Sequence, residues 1–124
     1  MRRLYPVLTI GSFLLLLIFG VCPVRAFTPP SIPLTREDLA TVKANLGKQP
    51  WKRGYEIFAA DHYSQLTYKM QGPFATVTRN PDLNRWTWMS DMEAVYNLAL
   101  MWYFIGNSAY VKKSHDIFLA WATK

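Results

Sequence analysis

The feature that most constrains this chain is the run from residue 94 to residue 105, in which Asn97 is the lone clearly polar residue. A helix without a polar face has to be covered from more than one direction, so this one is expected in an inner layer. Ser90 and Glu93 have capping-box spacing and predict that it starts at Ser90. Gly106 and Asn107 then interrupt the pattern. Beyond them a second helix puts Tyr110, Ser114, Ile117, Phe118 and Trp121 on one face and Lys112, Lys113 and Asp116 on the other, as an outer-layer helix would. An inner and an outer helix joined by a tight turn form the repeating unit of a double-layered helical array. No capping signal follows before Lys124, so the sequence reads as the amino-terminal part of a larger domain, truncated at its C-terminus.

The first residues predict export. Arg2 and Arg3 precede an apolar run over residues 7–21, and Val24-Arg25-Ala26 supplies the small or modest residues that signal peptidase reads. Residues 1–26 are therefore expected to be a signal peptide and residues 27–124 the exported chain, periplasmic or secreted and free of the membrane. The apolar run is short for a spanning helix, which needs roughly 20 residues. Cys22 follows Phe19-Gly20-Val21, a poor context for lipidation, and reads as one more apolar residue of the leader.

Loss of Arg2, Arg3 and Arg25 lowers the formal charge from +6 to +3. That mild basicity, without a Lys/Arg stripe, does not describe a nucleic-acid surface, whereas an acidic extracellular polymer is compatible with it. The exported part has no cysteine, which excludes a disulfide framework and a thiolate metal site. No metal or other cofactor is expected, nor any nucleophile elbow, phosphate-binding glycine loop or zinc motif.

Upstream of the apolar helix the pattern predicts two more helices and no convincing strand, an all-α chain. Residues 28–33, with three prolines, make an extended lead-in. A first helix is capped by Thr35 with Asp38 at the capping-box position and Leu34 stapled to Leu39; it carries Leu39, Val42 and Leu46 as its stripe and ends at Gly47. A second has Pro50 in its first turn, Trp51, Tyr55, Phe58 and His62 on one side, and its end near Tyr63. Residues 74–78 are strand-like in composition but have no partner.

Residues 64–89 make a connection longer than the about 12–15 residues of an ordinary loop, and such segments are commonly lids or binding loops. This one carries Tyr68, Phe74, Arg79, Asn80, Arg85, Trp86 and Trp88. Flat aromatic faces can lie on the apolar face of a sugar ring, and a guanidinium fork can hold a carboxylate. Tyr68, Arg79, Asn80, Arg85, Trp86 and Trp88 are accordingly the candidate binding residues for an acidic saccharide. The competing structural roles are Trp86 and Trp88 as plugs and Arg79 as a helix-end cap. His62 and His115 have no second ligand at metal spacing and read as a helix-end and a surface residue. The aromatic stripes read mainly as core. Tyr96 and Tyr103, on one face of the inner helix, and the isolated amide of Asn97 are the positions from which a groove donor could come.

Several stretches together resemble the amino-terminal part of the alginate lyase domain family. They are residues 73–80 (Pro-Phe-Ala-Thr-Val-Thr-Arg-Asn), residues 91–102 from Asp91 to Trp102, Gly106-Asn107 with Tyr110, and residues 117–122 (Ile-Phe-Leu-Ala-Trp-Ala). The lead-in residues 34–51 and Tyr55 fit the same order, so the resemblance spans the exported chain. Where the family often has a Gly- or Ser-rich stretch after the arginine, this chain has Pro81-Asp82-Leu83-Asn84-Arg85-Trp86.

The resemblance implies a partial (α/α) toroid of antiparallel helical hairpins, with a groove that binds an anionic, uronate-containing polysaccharide, acting as a monomer. The implied activity is β-elimination at a uronic acid. That chemistry needs a group to neutralise the carboxylate, a base for the C5 proton and an acid for the leaving O4. The family's Asn-His pair has no counterpart here, so the catalytic set is expected beyond Lys124 and residues 1–124 alone are expected to be inactive. Two other classes fit the residues: an exported helical-repeat, tetratricopeptide-like binding module, against which the long aromatic loop and the absent repeat period count, and an anchored assembly protein if residues 7–21 are retained.

Overall fold

The computed structural model describes residues 34–124, and the leader, Cys22 and the proline-rich lead-in lie outside the described residues. Four α-helices, α1 (Arg36–Asn45), α2 (Trp51–Ala60), α3 (Arg85–Ile105) and α4 (Ser108–Ala122), and a 3₁₀ turn at His62–Ser64 make up the described part. No strand is present among these residues, and the described part of the chain is all-α. None of the described helices is long and apolar enough to cross a membrane.

The α3–α4 hairpin is the centre of the packing. At the end of α3, Gly106 adopts φ 76°, a left-handed conformation that glycine takes without a Cβ penalty, and its N–H bonds Trp102 O at 2.7 Å. Asn107 then caps α4, its side-chain oxygen accepting the Ala109 N–H at 3.0 Å. Two adjacent residues thus stop one helix and start the next, and the chain turns back on itself.

Asp91, Ala94, Leu98 and Met101 recur at helical spacing and form the buried stripe of α3. Ser114 and Ile117 face it from α4, and the Ser114 hydroxyl donates to Val95 O at 2.7 Å. Tyr68, Ala94, Leu98 and Ile117 form the core, with Tyr63, Val95, Tyr110 and Trp121 packed around it. α3 was expected to be covered from more than one direction, and among the described residues it is covered on one side. Its other side leaves Tyr96, Trp102 and Ile105 between 42% and 46% exposed. Phe118, expected on the packed face of α4, is 51% exposed: the buried line runs through Ser114 and Ile117, and position 118 lies about 40° beyond Ser114 on the side away from Ile117.

Several helix boundaries depart from expectation for local reasons. α1 ends at Asn45, where the Asn45 amide donates to Thr41 O and the Lys48 N–H bonds Asn45 O, each at 2.8 Å; Gly47 does not take a left-handed conformation. α2 stops at Ala60 because Asp61 steps into extended backbone (φ −63°, ψ 140°) and caps the following 3₁₀ turn by accepting the Tyr63 N–H at 2.8 Å. His62 therefore leaves the face of α2 and is exposed. α3 starts at Arg85, five residues before Ser90, from a left-handed Asn84 (φ 56°). Ser90 lies inside the helix, where its hydroxyl accepts from Tyr63 OH at 3.2 Å. At the other end, α4 closes at Ala122, with the Thr123 N–H and hydroxyl both on Leu119 O.

α1 and α2 bury no residue fully. They meet the end of α3 through aromatic edges: Tyr55 and Phe58 each lie 6.2 Å from Phe104 in near-perpendicular geometry. Lys43 donates to Tyr103 O at 2.6 Å and sits 4.9 Å from the centre of the Tyr103 ring. Between these elements runs an apolar cleft of about 230 Å³ lined by Val42, Leu46, Trp51, Gly54, Tyr55, Phe58 and Phe104.

Candidate functional site

The connection between the 3₁₀ turn and α3 is held by Lys113 Nζ, which donates to Leu66 O at 2.5 Å, and at two further places. The first is the carboxylate of Asp91, which is fully buried on α3. It accepts Tyr68 OH at 2.7 Å, the Gln71 N–H at 2.9 Å, the Gly72 N–H at 2.9 Å and the Trp121 indole N–H at 2.8 Å. Four donors from the connection and from α4 thus replace the water that a buried anion loses. Burial first, and then the hydrogen bond to Asp91, push the Tyr68 phenol far above its ordinary pKa of 10.0. A phenol held in that way neither gives nor takes a proton near neutral pH. Gly72 is tied to the same cluster by sterics, since a Cβ there would lie 2.1 Å from the Trp121 ring. Farther along, Phe74 packs 6.3 Å from Trp121.

The second hold is a turn that leads into α3. Thr78 and Leu83 exchange backbone hydrogen bonds of 3.0 and 3.1 Å, the single bridge formed by the strand-like stretch. The Thr78 hydroxyl donates to Pro81 O at 2.6 Å, and the Asn84 amide donates to Thr76 O at 3.0 Å. Arg79 and Asn80 sit at the exposed tip. No hydrogen bond or ion pair to a described residue engages the Arg79 side chain.

Arg85 and the two tryptophans belong to the first turn of α3 instead of a loop. Arg85 donates through Nε (3.2 Å) and Nη2 (2.7 Å) to one carboxylate oxygen of Asp82. Its guanidinium lies 4.4 Å from the centre of the Trp86 ring. The hydrogen bond from Arg85, with a smaller contribution from Trp86, holds the Asp82 carboxyl below its ordinary range. Trp86 is 63% exposed and Trp88 42%. Residues two apart on a helix point about 200° apart, so the two indoles cannot serve one sugar ring.

Of the six residues marked in the sequence, Arg79, Asn80, Arg85, Trp86 and Trp88 therefore lie at the turn and the helix start that follows it. Tyr68 does not: it is 7% exposed, and its hydroxyl is taken by Asp91. The sequence reading missed Asp91 and Gly72. The one available signal was a tryptophan near the end of α4 whose indole N–H needs an acceptor when buried. His62 lies against Tyr63, ring centres 3.7 Å apart, and His115 is exposed. Asn97 is half-buried, and its side chain has no hydrogen-bond partner among the described residues. No cluster of three or more His, Cys, Asp or Glu side chains suited to a metal occurs among the described residues.

The arrangement presents, on a locally braced turn, one guanidinium without a partner among the described residues and one amide, with the exposed Trp86 indole on the helix start that follows. A guanidinium is a donor to anionic groups, and an indole offers a flat apolar face. The arrangement brings together no base and acid that could act on an anionic ligand. No family model, curated protein or solved structure matches the chain.

Proposed function

We propose that this chain is the amino-terminal part of an exported polysaccharide lyase of the alginate lyase kind, in which the turn at residues 78–83 and the Trp86 that follows it contact an anionic, uronate-containing polysaccharide. The observation that carries the reading is Arg79: an arginine without an ionic partner among the described residues, at the tip of a turn that four local hydrogen bonds and the Asp82–Arg85 pair keep in shape. A guanidinium so placed matches a uronate carboxylate, and the adjoining Trp86 matches the apolar face of the same or the next ring. The order of motifs behind an export leader supports the family reading, and the all-α architecture agrees with an (α/α) toroid.

Within that reading the elimination step is the work of later residues. Tyr68, the tyrosine nearest in sequence to the turn, is held protonated in the core and is excluded as the acid for O4 by its Asp91 bond. A tetratricopeptide-like binding module shares the α3–α4 hairpin but gives no role to the braced turn.

The test is Arg79→Ala in the intact exported protein. Affinity for polyuronate is expected to fall about tenfold, the scale of one charge-assisted bidentate contact. The melting temperature is expected to stay within a few degrees, because an exposed arginine contributes little to folding. A sharp fall in melting temperature with unchanged affinity would make the turn a structural clasp and end the binding reading.

A further inference from the structure

Arg85 has the composition of a second carboxylate receptor, but its geometry gives it another task. Both of its fork positions that make hydrogen bonds are on a single oxygen of Asp82, three residues earlier, and the two side chains are only 30% and 38% exposed. A polymer carboxylate would have to displace an intramolecular anion already in place. The same guanidinium carbon lies over the Trp86 ring, 4.4 Å from its centre, while Trp86 remains the most exposed tryptophan of the described residues. A large aromatic side chain on a helix's first turn would otherwise sample several rotamers and lose that freedom on binding. Here the guanidinium covers part of one ring face, and the residue as a whole stays 63% exposed.

We infer that Arg85 is a positioning residue: anchored by Asp82 and stacked on Trp86, it presents the free face of that indole as the platform for one pyranose ring of the polymer. The inference rests on the proposed saccharide-binding role of the turn and divides its labour. Arg79 reads the charge of the ligand, and the Asp82–Arg85–Trp86 stack reads its flat face. Trp88, on the opposite side of α3 and without a stacked cation, takes no part. The division predicts an outcome that the simpler assignment reverses. If Arg85 met a uronate directly, removing Asp82 would free its guanidinium and delete a competing negative charge, and binding would tighten. If Arg85 acts through Trp86, removing Asp82 unfastens the stack and binding weakens.

The experiment titrates the intact exported protein with an oligouronate, at low and at high salt, for the wild type and for Asp82→Ala, Asp82→Glu, Arg85→Lys and Arg79→Ala. Asp82→Ala is expected to weaken binding about fivefold at both salt concentrations, and Asp82→Glu to restore most of it. Arg85→Lys should behave like Asp82→Ala, because an ammonium keeps the charge but neither forks nor stacks as a guanidinium does. Arg79→Ala should instead lose most of the salt dependence, since screening acts on the charge contact. Tighter binding by Asp82→Ala, or full affinity in Arg85→Lys, would overturn the positioning role while leaving the turn as the binding site. Absence of oligouronate binding by the wild type, or an unchanged salt dependence in Arg79→Ala, would overturn the binding role of the turn and this inference with it.

Discussion

Replacing Asp91 with alanine is expected to lower stability by about 3–5 kcal/mol, the scale on which a buried charged network fails when one member is removed. The substitution leaves the Tyr68 hydroxyl, the Gln71 and Gly72 N–H groups and the Trp121 indole facing a small cavity without their acceptor. A domain of this size holds roughly 5–15 kcal/mol in total, and each kcal/mol moves its melting temperature by about 4–8 °C. The melting temperature should therefore fall by at least about 12 °C in a thermal scan followed by circular dichroism. Asp91→Asn should lie between, since it keeps one acceptor oxygen but turns an NH₂ group toward existing donors. The same cluster sets an alkaline limit. Tyr68 has its pKa raised on folding, so its contribution is complete below pH 10 and is lost as the pH rises above that value. Tyr68→Phe should remove that alkaline slope while lowering stability at neutral pH.

Gly72→Ala is expected to cost about 2–4 kcal/mol, through overpacking and the loss of a charge-assisted hydrogen bond. The new methyl would meet three atoms of the Trp121 ring at 2.1, 2.6 and 2.8 Å. The indole cannot swing aside freely, because its N–H is fixed on Asp91 at 2.8 Å. Gly47→Ala is the control: a Cβ there meets nothing within 4 Å, and the backbone is not left-handed. It should be neutral or slightly stabilising. Denaturant titration of the two variants checks the contrast, and equal stability would remove Gly72 from the cluster.

What the sequence allowed and withheld follows the range of the interactions involved. The α3–α4 hairpin was legible because its signals are local: a 3.6-residue apolar pattern, a left-handed Gly106 and the Asn107 cap. The start of α3 was not, because Asn84 in a left-handed conformation is a poor advertisement for a helix, and the Ser90–Glu93 spacing offered a better one five residues on. Tyr68 read as a ligand contact because nothing near it in sequence shows that its partner is Asp91, 23 positions away. The long connection was recognised as special from its length and composition. Two of its holds, one tertiary through Asp91 and one local through Thr78 and Leu83, were not separable without the structure. At the turn, residue types pointed to Arg79 and Arg85 equally, and the Asp82 pair distinguishes them.

The account's central claim is that the turn carrying Arg79 binds a polymer of uronic acids. It is tested most directly by calorimetric titration of the intact protein with alginate or another polyuronate and with a neutral glucan of similar length, each at low and high salt. The account predicts binding to the polyuronate that weakens as salt is added, with no binding to the glucan. Equal binding of the two polymers, or no binding of the polyuronate at low salt, would contradict it.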